Sequence, residues 1–186
     1  MNEERFGMES AFFRFRSVFF AIIFIMEELQ QLPLGVQDFK KLREENKLYA
    51  DKTSLVYDLT HSNSAVFLSR PRRFGKSLLL STIKYYFLGF RNLFAGLAID
   101  GLEKDWIEYP VLYFDFNGQN YSEENGLNDI IENHLRTWEK EYGCDWISET
   151  AAVRFENVIK AASEKTGRRV VVLVDEYDKP LLDTMN

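Results

Sequence analysis

The 186-residue chain has little cysteine and histidine, with a single cysteine, Cys144, and two histidines, His61 and His134. One cysteine excludes an internal disulfide framework, and these three residues form no cluster with the spacing of zinc ligands. The lack of cysteine pairs is typical of a reducing compartment, so we expect a cytoplasmic protein. The formal net charge is −6, so no basic field over the whole chain indicates nucleic-acid binding. A local basic patch that contacts nucleic acid is the alternative.

Long hydrophobic runs are also absent. The uninterrupted apolar run at residues 18–26 has nine residues, whereas a membrane-spanning helix needs about 20. No small-residue cleavage site follows this run, so a secretory signal fits poorly, and we expect no stable membrane insertion. We expect residues 1–31 to be an apolar extension ahead of a domain at 32–186. One hypothesis for its origin is translation from an upstream start, with Met26 as the natural first residue. A membrane or export role for the extension is the alternative.

Apolar runs alternate with amphipathic segments along the rest of the chain. We expect strands at 65–68, 110–116 and 169–175, and helices at 37–48, 54–61, 78–88, 122–142 and 150–165. Asp51 or Thr53 is expected to cap the second helix. One face of the fourth helix is apolar and consists of Leu127, Ile130, Ile131, Leu135 and Trp138. The alternation predicts an α/β fold with a parallel sheet, which places its ligand at the carboxyl ends of the strands.

An arginine-rich loop precedes the helix at 78–88. From Arg70 to Ser77 it has the sequence RPRRFGKS, which matches the phosphate-binding pattern G-x-x-x-x-G-K-[ST] except that arginine replaces the first glycine. Gly75 permits backbone angles that bring N–H groups against phosphate oxygens, and the positive end of the helix lies nearby. The pattern predicts that Lys76 reaches the β- and γ-phosphates and that the Ser77 hydroxyl binds Mg²⁺. A chance match in a loop is the alternative for this motif alone.

The strand at 169–175 ends in Asp175 and is followed by Glu176, which is the pattern of a Walker B strand. We expect Asp175 to hold Mg²⁺ directly or through water, and Glu176 to act as general base on the attacking water. An ordinary turn at the strand end is the alternative, since Asp178 and Pro180 are turn residues. The two motifs support each other, because one supplies phosphate donors and the other holds the metal. Together they predict a site for ATP and Mg²⁺.

The predicted site residues fall into three sets. The nucleotide contacts are Arg72, Arg73, Phe74, Gly75, Lys76, Ser77 and Leu78. The metal ligands are Ser77 and Asp175, and the catalytic groups are Lys76 and Glu176. The basic cluster Arg70, Arg72, Arg73 and Lys76 has two other interpretations, which are nonspecific contact with nucleic acid and a solvated loop face.

Three stretches resemble the AAA-ATPase-like proteins of bacteria, a P-loop group that commonly carries a C-terminal PD-(D/E)XK nuclease-like domain. They are LPLGVQDFKKLREENKLYADKT at 32–53, SRPRRFGKSLLLST at 69–82 and VVVLVDEYDKPLL at 170–182. The family itself uses RPRRFGKS, so the resemblance accounts for Arg70. It implies ATPase activity in the intact family and a P-loop NTPase parallel sheet flanked by helices. It also implies that Gly75, Lys76 and Ser77 contact ATP. In the same family pattern, Asp175 is the metal residue and Glu176 is the residue that acts on the attacking water.

The same resemblance implies a further strand, which in this class normally follows the Walker B strand and lies between it and the phosphate-loop strand. Because the chain ends at Asn186, we expect an incomplete sheet, truncated after the Walker B strand. We therefore expect a fragment that binds ATP with little or no hydrolysis. The alternatives are a nucleic-acid-acting module of a defence or mobile-element system, with nucleic acid bound through a missing C-terminal domain, and a noncatalytic remnant. The sequence does not indicate an oligomeric state.

Overall fold

The computed structural model describes residues 30–62, 74–117, 121, 126–144 and 150–180. The described elements, in chain order, are α1 (Phe39–Glu44), α2 (Thr53–Thr60), α3 (Lys76–Phe87), a 3-10 helix (Arg91–Phe94), α4 (Ala98–Leu102), β1 (Val111–Asp115), α5 (Gly126–Tyr142), α6 (Ala151–Thr166) and β2 (Val171–Asp175). The strand predicted at 65–68 lies outside the described residues. Within these parts of the chain, no helix combines the length and apolarity that a bilayer crossing requires.

Strands β1 and β2 are parallel neighbours, as the alternating pattern predicted. Their register places Tyr113 opposite Leu173 and Asp115 opposite Asp175. The pairing begins where Val171 N–H donates to the Pro110 carbonyl at 2.9 Å. Because both strands run in the same direction, their carboxyl ends lie at one edge of the sheet. The described residues therefore confirm a mixed α/β architecture with parallel strands.

Helices lie on both faces of the strand pair. Successive strand residues point to opposite faces, so Leu112 and Leu173 lie on opposite sides of the sheet. Leu173 packs against a core cluster that consists of Phe39, Val56, Ile83, Tyr86, Leu93, Phe94 and Ile99. Leu112 belongs to a second cluster, together with Leu135, Trp138, Cys144 and Val158. The first cluster contains residues of α3, and the second joins β1 to α5 and α6.

The end of the first predicted helix and the burial of one apolar residue differ from the sequence prediction. The helix predicted at 37–48 ends at Glu44, because Asn46 takes a φ of 48°, a left-handed conformation that does not continue a helix. Leu127 was expected on the buried face of α5 and is instead 43% exposed. It lies in the first turn of α5, while Ile130, Leu135 and Trp138 further along the helix are buried as expected.

A buried ion-pair cluster joins α5 to α6. Arg154 donates two hydrogen bonds to Glu139, at 2.7 and 2.9 Å, and two to Glu132, at 2.6 and 2.8 Å. The side chains of Arg154 and Glu139 are 8% and 10% exposed. The hydrogen bonds from Arg154 hold the pKa of Glu132 below its ordinary value, and the bonds to Glu139 and Glu132 raise the pKa of Arg154. The charges of Arg154 and Glu139 are therefore balanced chiefly by each other rather than by water.

We expect Arg154→Ala to lower the free energy of unfolding by about 3–5 kcal/mol, because it leaves the Glu139 carboxylate buried without its cation. Arg136→Ala is the matched control, since Arg136 is 74% exposed and pairs with Glu132 at 3.8 Å. Arg136→Ala should lower the free energy of unfolding by less than about 1 kcal/mol. Urea denaturation of the three proteins measures both values. Similar small losses in the two variants would contradict a structural role for the buried pair.

Candidate functional site

Helix α3 begins at the predicted phosphate-binding tripeptide. Gly75 directly precedes the helix with φ 73° and ψ 29°, a left-handed conformation that favours glycine. Lys76, Ser77 and Leu78 form the start of the first turn and are half-buried, whereas Phe74 just before them is 66% exposed. The first N–H groups of a helix have no partner within it and are the positive end of its dipole. The start of α3 is therefore a local environment that suits an anion.

Two contacts establish the direction of α3 relative to the strands. The Phe87 carbonyl, at the end of α3, accepts a hydrogen bond of 2.8 Å from the Tyr109 N–H, just ahead of β1. One turn earlier in the helix, Lys84 Nζ lies 4.8 Å from the ring centre of Tyr113, in the middle of β1. Helix α3 therefore runs antiparallel to β1, so the start of the helix lies towards the end of the strand. The first residue of α3, Lys76, consequently lies towards the edge where β1 and β2 end.

Asp175 is the last residue of β2, and its relative exposure is 8%. The Tyr113 hydroxyl donates to Asp175 Oδ2 at 3.0 Å, and the Glu176 N–H donates to Oδ1 at 3.0 Å. Burial and the Asp175 charge raise the pKa of Tyr113, so this hydroxyl keeps its proton and remains a donor. Among the described residues, no lysine or arginine forms an ion pair with Asp175. A bound cation would offset the cost of keeping this nearly buried carboxylate charged.

Two further acidic residues lie at the end of the strands. Glu176 has a φ of 53°, which is uncommon for a residue other than glycine and is found mainly in turns and functional sites. Asp115 ends β1 opposite Asp175, is exposed, and accepts a 2.8 Å hydrogen bond from the Asn117 N–H. The carboxylates of neighbouring strands give this edge of the sheet a negative potential, which a cation would reduce.

The side chains at this edge have the chemistry that Mg²⁺ prefers. The Ser77 hydroxyl and the Asp175 carboxylate both offer oxygen ligands. In the part of the chain that the structure describes, no group of three or more His, Cys, Asp or Glu residues could hold a metal by itself. Mg²⁺ usually takes one or two protein oxygens and completes its shell with phosphate and water oxygens. The residues therefore fit a metal that binds together with a phosphorylated ligand.

Residues 33–186 match the family model described as a predicted AAA-ATPase. The chain belongs to the AAA-ATPase-like family. It is also similar to the "uncharacterized protein in vnfD 5'region" of Azotobacter chroococcum mcd 1, with 40% identity over 158 residues. The aligned part covers 84% of this chain and 30% of that relative, so the chain spans less than a third of the relative's length. No solved structure matches the chain.

In this AAA-ATPase-like chain, the start of α3 lies towards the edge of the sheet where β2 ends. About a hundred residues separate these two positions in sequence. The predicted contacts Arg72 and Arg73 lie outside the described residues. Tyr113 was not predicted as part of the site. A tyrosine inside an apolar strand needs a partner for its hydroxyl, but the sequence does not say which one.

The Asp51-Lys52-Thr53 segment, to which the sequence assigned only a helix start, connects α2 to α4. Asp51 Oδ1 accepts hydrogen bonds from Thr53 N at 2.8 Å and from Thr53 Oγ1 at 2.6 Å. Asp51 Oδ2 accepts one from Ala98 N at 2.7 Å, and Thr53 Oγ1 accepts one from Ile99 N at 3.1 Å. The N-cap position of α2 is Lys52, not Asp51 or Thr53 as expected. Asp51 nevertheless accepts the N–H of Thr53, the first residue of α2, and the two side chains also satisfy N–H groups at the start of α4.

We expect Asp51→Ala to lower the free energy of unfolding at pH 7 by about 1.5–3 kcal/mol, because hydrogen bonds to a charged acceptor are lost. Burial acts to raise the pKa of Asp51, but the bonds from Thr53 and Ala98 outweigh it, so the pKa lies below its ordinary value. The folded chain therefore binds fewer protons at Asp51 than the unfolded chain does. The stabilisation is present above the ordinary pKa and is lost as the pH falls through the lower, folded value.

Urea denaturation of the wild type and the Asp51→Ala variant at a series of pH values measures this effect. The difference between them should shrink in acid. Asp58→Ala, at an exposed aspartate of α2, is the matched control and should change the free energy of unfolding by less than about 0.5 kcal/mol. A difference between Asp51→Ala and the wild type that does not depend on pH would show that the carboxylate charge is not the source of the stabilisation.

Proposed function

We propose that this chain binds ATP together with Mg²⁺, between the start of α3 and the carboxyl end of β2. Membership of the AAA-ATPase-like family supports a nucleotide as the ligand. The observation that carries the proposal is the direction of α3, whose first turn lies towards the edge of the sheet at which Asp175 ends β2. A positive helix end and a buried carboxylate at one edge suit a ligand that is an anion with a bound cation.

The phosphates are assigned to the start of α3. The left-handed conformation of Gly75 turns the backbone into the helix, so that the N–H groups of Lys76 and Ser77 can donate to phosphate oxygens. Among the described residues, none would lie within 4 Å of a Cβ added at Gly75. The Lys76 amine is assigned to the β- and γ-phosphates, where it would neutralise charge. Arg72, Arg73, Phe74 and Leu78 complete the proposed nucleotide contacts.

The metal is assigned to the Ser77 hydroxyl and the Asp175 carboxylate. Each carboxylate oxygen can accept more than one bond, so the bonds from Tyr113 and Glu176 orient Asp175 and leave it able to bind a cation. Bound Mg²⁺ would neutralise charge on the phosphate oxygens. Glu176 follows directly and is proposed as the general base that takes a proton from water in the whole protein. Hydrolysis is a proposal for that whole protein, since this chain spans 30% of its relative.

We expect Lys76→Ala to weaken MgATP binding by at least about tenfold, because a charge-assisted contact with the phosphates is lost. Asp175→Asn should abolish the gain in ATP affinity that Mg²⁺ provides, because the metal ligand loses its charge. Isothermal titration calorimetry of the full chain, with and without Mg²⁺, measures both effects. Lys104→Ala, at an exposed lysine just after α4, is the control and should bind as the wild type does. Unchanged affinity in Lys76→Ala would overturn the assignment of the phosphate site.

Tyr113→Phe tests the orientation of Asp175. Removing the hydroxyl leaves the carboxylate without one of its donors, so the ratio of ATP affinity with Mg²⁺ to that without Mg²⁺ should fall severalfold. The free energy of unfolding should fall by about 1 kcal/mol. Tyr142→Phe makes the same change at the end of α5, away from this edge, and should leave the affinity ratio unchanged. If Tyr113→Phe lowers stability but not the ratio, Tyr113 supports the fold and does not position the metal ligand.

A further inference from the structure

Asp115 and Asp175, the last residues of β1 and β2, lie on the same face of the sheet. Lys84 of α3 lies over the Tyr113 ring, and Leu173 packs against the core cluster that contains residues of α3. Residues two positions apart in a strand share a face, so Asp115 follows Tyr113, and Asp175 follows Leu173, on the face that carries α3. The register pairs Asp115 directly with Asp175. The two aspartates are therefore neighbours on the side of the sheet from which the start of α3 approaches this edge.

The turn after β1 does not require the negative charge of Asp115. Asp115 Oδ1 accepts a hydrogen bond of 2.8 Å from the Asn117 N–H. An asparagine or a serine could accept the same bond with an uncharged side chain. Like charges at paired positions of neighbouring strands repel each other, and no described lysine or arginine forms an ion pair with Asp115 or Asp175. The bonds that the structure describes therefore do not account for a carboxylate at this position.

The spacing of the two strands suits a carboxylate that reaches a hydrated cation from one strand away. Neighbouring strands lie about 4.8 Å apart. Mg²⁺ lies about 2.1 Å from its oxygen ligands and keeps several of its waters, and such a water donates to a carboxylate oxygen over about 2.7 Å. The carboxylate oxygen then lies up to about 4.8 Å from the metal, which is one strand spacing. Asp175 is nearly buried and suits the inner ligand, whereas Asp115 is exposed and suits the solvated side of the ion.

We infer that Asp115 is a second acidic residue of the metal site and binds the water shell of the Mg²⁺ that Ser77 and Asp175 hold. The inference depends on the proposed function, because Ser77 and Asp175 determine where the metal lies. Asp115 is then a positioning residue, which accepts hydrogen bonds from the waters and adds negative charge beside the cation. The same charge repels ATP that carries no metal. Asp115 therefore increases the preference of the site for MgATP over metal-free ATP.

Asp115→Asn tests this inference, because it removes the charge and keeps both the shape and the acceptor for the Asn117 N–H. Isothermal titration calorimetry of the full chain measures the affinity for ATP with Mg²⁺ and with EDTA. The ratio of the two affinities should fall at least about fivefold, since the cation loses a partner for its waters. The affinity for metal-free ATP should be unchanged or higher, since a negative charge near the phosphates is removed. Asp105→Asn makes the same change at an exposed aspartate after α4 and should alter neither affinity.

Urea denaturation without Mg²⁺ and nucleotide separates this role from a role in the fold. Asp115→Asn should be at least as stable as the wild type, because repulsion between the paired aspartates is relieved. Asp115→Ser also keeps an acceptor without a charge, and it is used if circular dichroism shows that Asp115→Asn does not fold.

An unchanged affinity ratio in the uncharged variant would overturn the assignment of Asp115. Equal losses of ATP affinity with and without Mg²⁺ would also overturn it, because they indicate damage to the fold rather than to the metal site. In both cases the proposed metal ligand stands if Asp175→Asn still abolishes the gain that Mg²⁺ provides. If Mg²⁺ gives the wild type no gain in ATP affinity, the proposed metal site fails and the role of Asp115 fails with it.

Discussion

The direction in which α3 packs on the two strands is the constraint on which the candidate site depends. The hydrogen bond from Tyr109 to the Phe87 carbonyl holds the end of the helix at the start of β1. The contact between Lys84 and the Tyr113 ring holds the next turn over the middle of the strand. The helix therefore points its positive end to the edge where β1 and β2 present their carboxylates. In the opposite orientation, the same residues would lie at two ends of the sheet and could not share a ligand.

The remaining structure keeps these parts in place from both faces of the sheet. On one face, Asp51 and Thr53 join α2 to α4, and α2 forms a wall of a cavity beside α3. On the other face, Arg154 holds α6 to α5, and these helices form the crossover that carries the chain from β1 to β2. The parallel register, and with it the contact between Tyr113 and Asp175, is thus supported by packing far from the site. Such support limits the conformations available to the site residues before a ligand binds.

Most elements of the fold were predictable because their signals are local. Gly75 before an apolar segment indicated the start of α3, and the apolar run that ends at Asp175 indicated β2. The signals for burial were weaker. Leu127 has the spacing of the buried face of α5 but lies in its first turn, where it is 43% exposed. Periodicity identifies one face of a helix, whereas burial also depends on how far the neighbouring elements extend over that face.

The sequence by itself determined the family motifs, a helix close behind the phosphate-binding pattern and the acidic end of β2. These features depend on residue types within a few positions of one another. Only the tertiary structure decided that Tyr113 reaches Asp175, that Asp115 lies opposite it, and that a cavity opens beside Gly75. Each of these depends on strand register or on the packing of two helices. Such contacts join residues far apart in the chain, and neither hydrophobic periodicity nor a short motif specifies which distant residues will meet.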